Sequence, residues 1–486
     1  MNVCLIYPPT RFMIRTNVPS VVDEVTGCYP PLGLLYVAGA IERGSRHAVH
    51  VVDAVAERLS DAQIEERIRS IRPAVVGIQA ITFSIVDAYN TVRLVKRVDP
   101  SIRVVMGGPH VNIFPSETLS LPEIDFLLLG EGESNILPFL DALDGRGDLA
   151  QVPGIVYRDG RGEERRGPPN PLIEDLDSLP MPARHLLRNE LYSSVLGRGK
   201  RLTTIMSSRG CPARCIFCDR PHLGKKFRAR SAGSVADEMQ VCYERFGIDE
   251  FFFYDDTFTI DRQRVLDVCR EVHARRLKVF WDIRARVSTV DREVLDALSK
   301  AGCRRIHFGI ESGNEQVLKT VRKGLDLRRA REVLKWSRAA GIETLAYFMI
   351  GFPGEGHAEV RDTIDYALSI DCDYIHVAVT TPFPGTELYR MGLDQGLYST
   401  DYWAEFARDP KPEFVPRLWD EKLTREELIG YMFELYRRFY RRPGYILRRL
   451  LTIRSMAEFK TKARAGMKLL CQAQGRRGGK QGTPGT

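Results

Sequence analysis

Eleven short runs of aliphatic, β-branched or aromatic residues, each followed by a longer stretch with helical spacing, constrain the fold of this 486-residue chain. The first five are VCLIY, AVHVVD, AVVGIQA, RVVMGG and DFLLLG. Strands apolar on both faces belong to a parallel sheet covered by helices. Residues 1–144 are therefore expected to form an α/β doubly wound domain of the Rossmann-like or flavodoxin-like kind. The other six runs, RLTTIMSS, DEFFFYDD, KVFWDIRAR, CRRIHFGIE, ETLAYFMIGFPG and YIHVAVTTPFPG, alternate with helical segments over residues 196–400. Six such units suit a partial (β/α)6 barrel of the TIM type better than a second open sheet, although periodicity alone does not separate the two. Between them, residues 145–195 form a linker in which VPGIVYRDGRGEERRG reads as a hairpin and PPNPLIEDLDSLPMPARH as a proline-punctuated connector. Residues 401–470 read as a helical C-terminal region, and 471–486 as a disordered tail without apolar residues to bury after its first few positions. No repeat of solenoid length is visible.

The length exceeds one ordinary hydrophobic core, so two or three domains are expected. A composition with 44% hydrophobic and 28% charged residues is that of a soluble globular protein. No apolar run approaches the roughly 20 residues that span a bilayer, and MNVCLIYPPT lacks the basic region and apolar core of a secretory signal. A cytoplasmic location is expected. The net charge of +8 is unevenly placed: from Arg437 onward, fourteen lysines and arginines stand against one acid, Glu458, which leaves −5 for the rest. This basic, partly amphipathic tail is a candidate for peripheral contact with an anionic membrane, with a solvated helix face as the plainer reading. The excess is confined to the extreme C-terminus, without an interleaved aromatic platform, so no nucleic-acid partner is expected.

Ten cysteines at scattered spacings do not resemble a secreted disulfide framework. Three of them, Cys211, Cys215 and Cys218, form CxxxCxxC on the loop after the first barrel strand, where such a barrel places its chemistry. Gly210 and Pro212 favour an irregular loop on which three thiols can converge. Thiolates select zinc or iron–sulfur clusters. Zinc would need a fourth ligand, for which His222 is the nearby candidate, but structural zinc usually staples small modules without a core. A 4Fe-4S cluster is the better reading: three ligands leave one iron open to a substrate or cofactor. The remaining cysteines, Cys4, Cys28, Cys242, Cys269, Cys303, Cys372 and Cys471, form no second cluster by spacing; with Cys4 and Cys303 on strands and Cys242 and Cys269 on helices, small buried apolar residues are the better reading.

The cysteine motif, with Phe217 before its last thiol, resembles that of the radical S-adenosylmethionine (SAM) superfamily. Five further segments agree: FYDDTF, ARV, GIESGNE, GFPGE and TPFPGT, each after a successive barrel strand. The N-terminal YPP, YPPLGLLYVAGAIE, GIQAITFS, GGPH and GEGE resemble the branch with a cobalamin-binding domain, so the likeness covers nearly the whole chain. It implies that Cys211, Cys215 and Cys218 hold the cluster, whose open iron chelates SAM, and that Phe217 packs near the adenine. Many relatives have GGE after the second strand. Here Tyr254, Asp255 and Asp256 stand there and are assigned to the SAM ammonium by position, with turn or N-cap residues as the plainer reading. Arg286, with Arg284 and Arg275 as rivals, is assigned to the SAM carboxylate, Glu311 and Ser312 to the ribose, and Gly351 and Gly354 to close approach of the adenine. On the cobalamin side the likeness implies Tyr7, Pro8, Leu32, Gly33, Thr82, Gly107, Gly108, Gly130, Glu131 and Gly132, mostly beyond the carboxyl ends of strands. The Asp-x-His-x-x-Gly motif is absent, so cobalt is expected without a histidine ligand; His110 reads as a loop residue, and His47 and His50 as structural.

In the superfamily, reductive cleavage of SAM gives a 5′-deoxyadenosyl radical that abstracts hydrogen from an unactivated carbon. The expected function is methyl transfer from methylcobalamin to carbon or phosphorus of a small metabolite or lipid, with an electron donor such as flavodoxin or ferredoxin. Non-methylating ring contraction, cyclisation or oxidation is the second reading. A cobalamin-binding sensor or carrier with a structural cluster is the third.

Overall fold

The computed structural model describes residues 1–14, 27–194, 197–219 and 224–451. Strands β1 (Asn2–Tyr7), β2 (Ala48–Asp53), β3 (Val75–Gln79), β4 (Arg103–Gly107) and β5 (Phe126–Leu128) are parallel and lie in the order β2-β1-β3-β4-β5. This flavodoxin-like order reverses between β1 and β3, which opens a crevice beyond their carboxyl ends. The expected hairpin is present as β6 (Ile155–Arg158) and β7 (Glu164–Arg166), but β6 pairs antiparallel with β5. Ile155 and Val156 are buried on opposite faces, so the hairpin lengthens the first sheet to seven strands and is not part of a linker.

The second half contains β8 (Leu202–Ile205), β9 (Ser208–Arg209), β10 (Arg228–Ala229), β11 (Glu250–Phe253), β12 (Phe280–Ala285), β13 (Cys303–Glu311), β14 (Glu343–Ile350) and β15 (Tyr374–Val379). Six of these form a parallel sheet in chain order, β8-β11-β12-β13-β14-β15, and its two edge strands do not pair with each other. It is a partial barrel. Ile283, Phe308, Phe348 and Val377 share one core with Val265, Leu295, Val333 and Ile364 of the surrounding helices. Because side chains alternate along a strand, the intervening positions Arg284, His307, Tyr347 and His376 face the lumen.

The helical region ties both halves together. Tyr389, Tyr402 and Trp403 lie in the same buried cluster as Val111 and Phe114 of the first domain. The helix Arg425–Tyr440 instead buries Leu428, Met432 and Phe439 in the barrel core. On the following helix, Pro443–Leu451, Arg448 pairs with Asp371 at 2.7 Å and Arg449 with Asp373 at 3.5 Å. The first part of the basic tail is thus held to acids of the barrel; Cys471 and the rest of the tail lie outside the described residues. No described helix is long and apolar enough to cross a membrane. Cys4, Cys242, Cys269, Cys303 and Cys372 are buried, and burial pushes the Cys4, Cys269 and Cys372 thiols up to about 12. His110 is fully buried, its Nδ1 3.1 Å from Thr82 Oγ1, and burial pushes it down to about 3. It lies on the short helix Pro109–Ile113, which replaces the expected loop.

Candidate functional site

The loop that carries the three cysteines leaves and re-enters the fold through a two-residue ladder. Arg209 of β9 pairs with Arg228 of β10, which closes the neck of the segment that carries the cysteines. Both arginines turn toward the first domain. Glu131 Oε1 accepts from Arg209 Nη1 at 2.7 Å and its Oε2 from Arg228 Nη1 at 2.9 Å, while Glu133 Oε1 accepts from Arg209 Nη2 at 2.6 Å. The Ile173 amide donates to Glu131 Oε2 at 2.6 Å. These charges are almost fully buried, and the guanidinium groups hold the Glu131 carboxyl below its ordinary value against the opposing effect of burial. Glu131, expected at the corrin, is instead consumed in this clasp, because two buried arginines demand a carboxylate between them.

The cysteine segment is pinned at its centre by Ile216. Its side chain is buried with Val317, Val321, Phe352, Leu388 and Trp419, its amide donates to Val321 O at 3.2 Å, and its carbonyl accepts from Leu388 N at 2.9 Å. The flanking thiols differ in exposure: Cys215 is buried, Cys211 half-buried and Cys218 exposed. Arg286 Nη1 lies 3.7 Å from Cys215 Sγ, and Thr257 Oγ1 lies 4.0 Å from Cys211 Sγ. Arg286 also donates to the Lys323 carbonyl, and Lys323 Nζ pairs with Glu311 Oε1 at 2.7 Å. Lys323 Nζ stands 5.9 Å above the Phe217 ring, which packs 5.4 Å from Phe352. Glu311 ends β13 at a register break with φ +71°, a left-handed backbone that costs a non-glycine residue roughly 1–2 kcal/mol. Phe217, Arg286 and Glu311 are thereby brought together beside Cys215, joined by Lys323, which carried no signal in the sequence.

Other expected contacts fall elsewhere. Asp255 is fully buried and accepts from Ser207 N, Ser207 Oγ and Ser208 Oγ at 2.6–2.7 Å, so it braces the strand end before the cysteine loop. Asp256 is exposed, and Tyr254 faces the barrel lumen with its ring 6.2 Å from Tyr29 of the first domain. Ser312 is buried, bonded to Thr363 Oγ1 at 3.0 Å and Asn314 N at 3.1 Å, so it shapes the turn after Glu311. Gly351, at φ +83°, is approached by Leu428, and Gly354 donates to Glu421 at 3.0 Å. Glu355 Oε2 accepts from the Gly351 and Phe352 amides at 2.5 and 2.9 Å while its Oε1 has no hydrogen-bond partner among the described residues; burial pushes this carboxyl up to about 7.

Beyond the carboxyl ends of β1, β3 and β4, Tyr7, Thr82 and Gly107 remain half-buried, and Gly33 is exposed with nothing near its Cβ direction. Pro8 and Leu32 are buried beneath. Gly108, Gly130 and Gly132 instead pack against Ala80, Asn170 and Val37. Across from this surface, Phe83 packs against Phe383 of the TPFPGT loop at 5.0 Å, and Gly385 lies between Asp219 and Ile113. The end of the cysteine loop therefore faces the first domain. Among the described residues no three His, Cys, Asp or Glu side chains stand close enough to hold a single metal ion. His222 lies outside the described residues. Three separated thiols on one anchored loop suit a cluster spread over several irons.

The B12 binding domain matches residues 19–137 and the Radical SAM superfamily domain residues 205–367. A protein named as an uncharacterized methyltransferase of Pyrococcus horikoshii is 34% identical over 451 residues, which cover 92% of this chain and 94% of that one. The chain belongs to the cobalamin-binding radical SAM superfamily. The anaerobic magnesium-protoporphyrin IX monomethyl ester cyclase of Rubrivivax gelatinosus is 30% identical over 440 residues, covering 89% of this chain and 78% of its own. The structure of the cobalamin-dependent radical SAM enzyme OxsB superposes with a TM-score of 0.73 at 16% identity, covering 97% of this chain and 72% of that one, and shares the fold. As a member of this superfamily with both domains matched, the protein uses a 4Fe-4S cluster, SAM and cobalamin.

Proposed function

We propose that the protein is a cobalamin-dependent radical SAM methyltransferase acting on an unactivated carbon, or on phosphorus, of a small metabolite or lipid. The observation that carries this reading is that both cofactor domains occur in one chain, with the neck of the cysteine loop fixed to the first domain by the buried Glu131–Arg209–Arg228 clasp. When bound, the cluster, SAM and cobalamin together supply reductive cleavage of a sulfonium and delivery of a methyl group. In this reading Cys211, Cys215 and Cys218 ligate the cluster, Arg286 holds the SAM carboxylate beside Cys215, and Phe217 covers the adenine. Glu311, oriented by Lys323, accepts from the ribose hydroxyls. Asp256, exposed at the strand end, is the carboxylate assigned to the SAM ammonium by its position, while both Asp255 oxygens are engaged with Ser207. Tyr7, Gly33, Thr82 and Gly107 form the seat of the corrin. A reduced flavodoxin or ferredoxin supplies the electron.

Turnover of candidate substrates under anaerobic conditions tests the methyl transfer. Formation of 5′-deoxyadenosine, S-adenosylhomocysteine and a product heavier by CH₂ is expected; 5′-deoxyadenosine without the other two would replace the reading with cyclisation or oxidation. The likeness to the Rubrivivax cyclase supports that second reading. The apolar face of the helix Pro443–Leu451, with Leu447 and Leu451 exposed, supports a peripheral membrane contact continued by the basic tail. Co-sedimentation with anionic vesicles should fall on truncation after Leu451; equal binding removes the proposal.

A further inference from the structure

On β12, Arg284 lies two residues before Arg286, hence on the same face and one step deeper into the lumen from the side chain that reaches Cys215. Its guanidinium carbon stands 5.2 Å from the Phe252 ring centroid and 5.6 Å from that of Tyr254. Tyr29, contributed by the first domain, continues this wall at 5.6 Å from Phe252. On the other side the Tyr347 hydroxyl is 2.9 Å from His307 Nδ1, and Arg284 reaches the same hydroxyl. Burial keeps His307 below its ordinary value and pushes His376, 5.3 Å from Tyr347, down to about 4, so neither histidine brings a charge near neutral pH.

The neighbouring lumen arginine shows what a purely structural one looks like. Arg305 is locked between Asp282 at 2.8 Å and Glu343 at 3.0 Å. Among the described residues, Arg284 pairs with no carboxylate, although it is half-buried among aromatic faces. Stacking on Phe252 and Tyr254 offsets part of the desolvation but leaves the five-donor fork of a guanidinium largely unused. Such a fork matches two oxygens of a carboxylate or a phosph(on)ate, and its worth rises where water is excluded.

We propose that Arg284, with Tyr347 as second donor, is the subsite for a substrate oxyanion, a carboxylate or phosph(on)ate, and that Tyr29, Phe252 and Tyr254 hold the adjoining carbon framework. The inference rests on the reading of the loop above as the site of SAM chemistry, and it narrows the substrate to an anionic molecule with an apolar or planar body.

Calorimetric titration of the anaerobically reconstituted full chain tests it, with benzoate and inorganic phosphate as probes and benzyl alcohol as the uncharged control. Wild type is expected to bind one of the two anions more tightly than benzyl alcohol, and the tighter anion names the group. Arg284→Gln should weaken that binding about tenfold or more, and Arg284→Lys should recover part of it. Tyr347→Phe should weaken it about threefold, which keeps the proposal testable if Arg284→Gln does not fold. No binding of either anion by wild type, or affinities unchanged in Arg284→Gln or in Tyr347→Phe, would overturn the subsite. Cleavage of SAM by the wild-type protein is measured without these probes, so failure of the cofactor reading and failure of the subsite are separate results.

Discussion

Arg209, two residues before the first cysteine of the loop, donates to Glu131 of the first domain at 2.7 Å, with both side chains almost wholly removed from water. A buried ion pair adds little net stability when complete but costs about 3–5 kcal/mol when one partner is removed. Glu131→Gln removes the negative charge that Arg228 and Arg209 share. We expect a thermal midpoint lowered by several degrees and faster proteolysis within residues 210–227. Glu133→Gln should be milder, because Arg209 keeps Glu131. Calorimetry with timed proteolysis measures both.

Ile216 fills a pocket between Val317, Phe352 and Leu388, with thiols on either side of it in sequence. Truncation to alanine leaves a cavity worth about 2–5 kcal/mol. Since that energy anchors the loop, Ile216→Ala should release iron to a chelator several-fold faster while far-ultraviolet circular dichroism stays unchanged.

The strained Glu311 and its 2.7 Å pair with Lys323 are at the mouth of the barrel. If Glu311 accepts from the ribose, Glu311→Gln should weaken SAM binding about tenfold in equilibrium dialysis, the usual worth of a hydrogen bond to a charged group. Iron content should not change.

Burial raises Glu355 from its ordinary 4.5 to about 7. The folded state therefore keeps a proton that the unfolded state releases. The stability this gives is complete below about pH 4.5 and is lost progressively as pH rises to about 7. Glu355→Gln holds the neutral form at every pH. The variant's thermal midpoint, measured against wild type, should therefore rise across that window and level off above it.

The architecture was legible where period and composition carry the physics. The five apolar-on-both-faces runs fold as a parallel sheet, and the six later ones as a sequential partial barrel. The β6–β7 hairpin was visible from its turn residues, but its attachment to β5 was not, because pairing to an edge depends on which of Ile155 and Val156 meets which sheet face. Within the site, the cysteine motif singled out the loop that the Arg209–Arg228 ladder and Ile216 anchor, and the segments after the strands singled out Arg286 and Glu311, which the fold brings near Cys215. Sequence spacing could not distinguish Asp255, turned inward onto Ser207 and Ser208, from Asp256 beside it. It also could not reveal that GEGE meets arginines 78 and 97 positions away, a contact set wholly by the third dimension.

Everything turns on whether Cys211, Cys215 and Cys218 hold a redox-active cluster that cleaves SAM. The decisive measurement is 5′-deoxyadenosine formation by the anaerobically reconstituted protein with SAM and a strong reductant, paired with electron paramagnetic resonance of the reduced sample. Wild type should give a reduced 4Fe-4S signal and release 5′-deoxyadenosine, and Cys215→Ala should lose both. No signal and no nucleoside from wild type, or equal nucleoside from Cys215→Ala, would contradict the account.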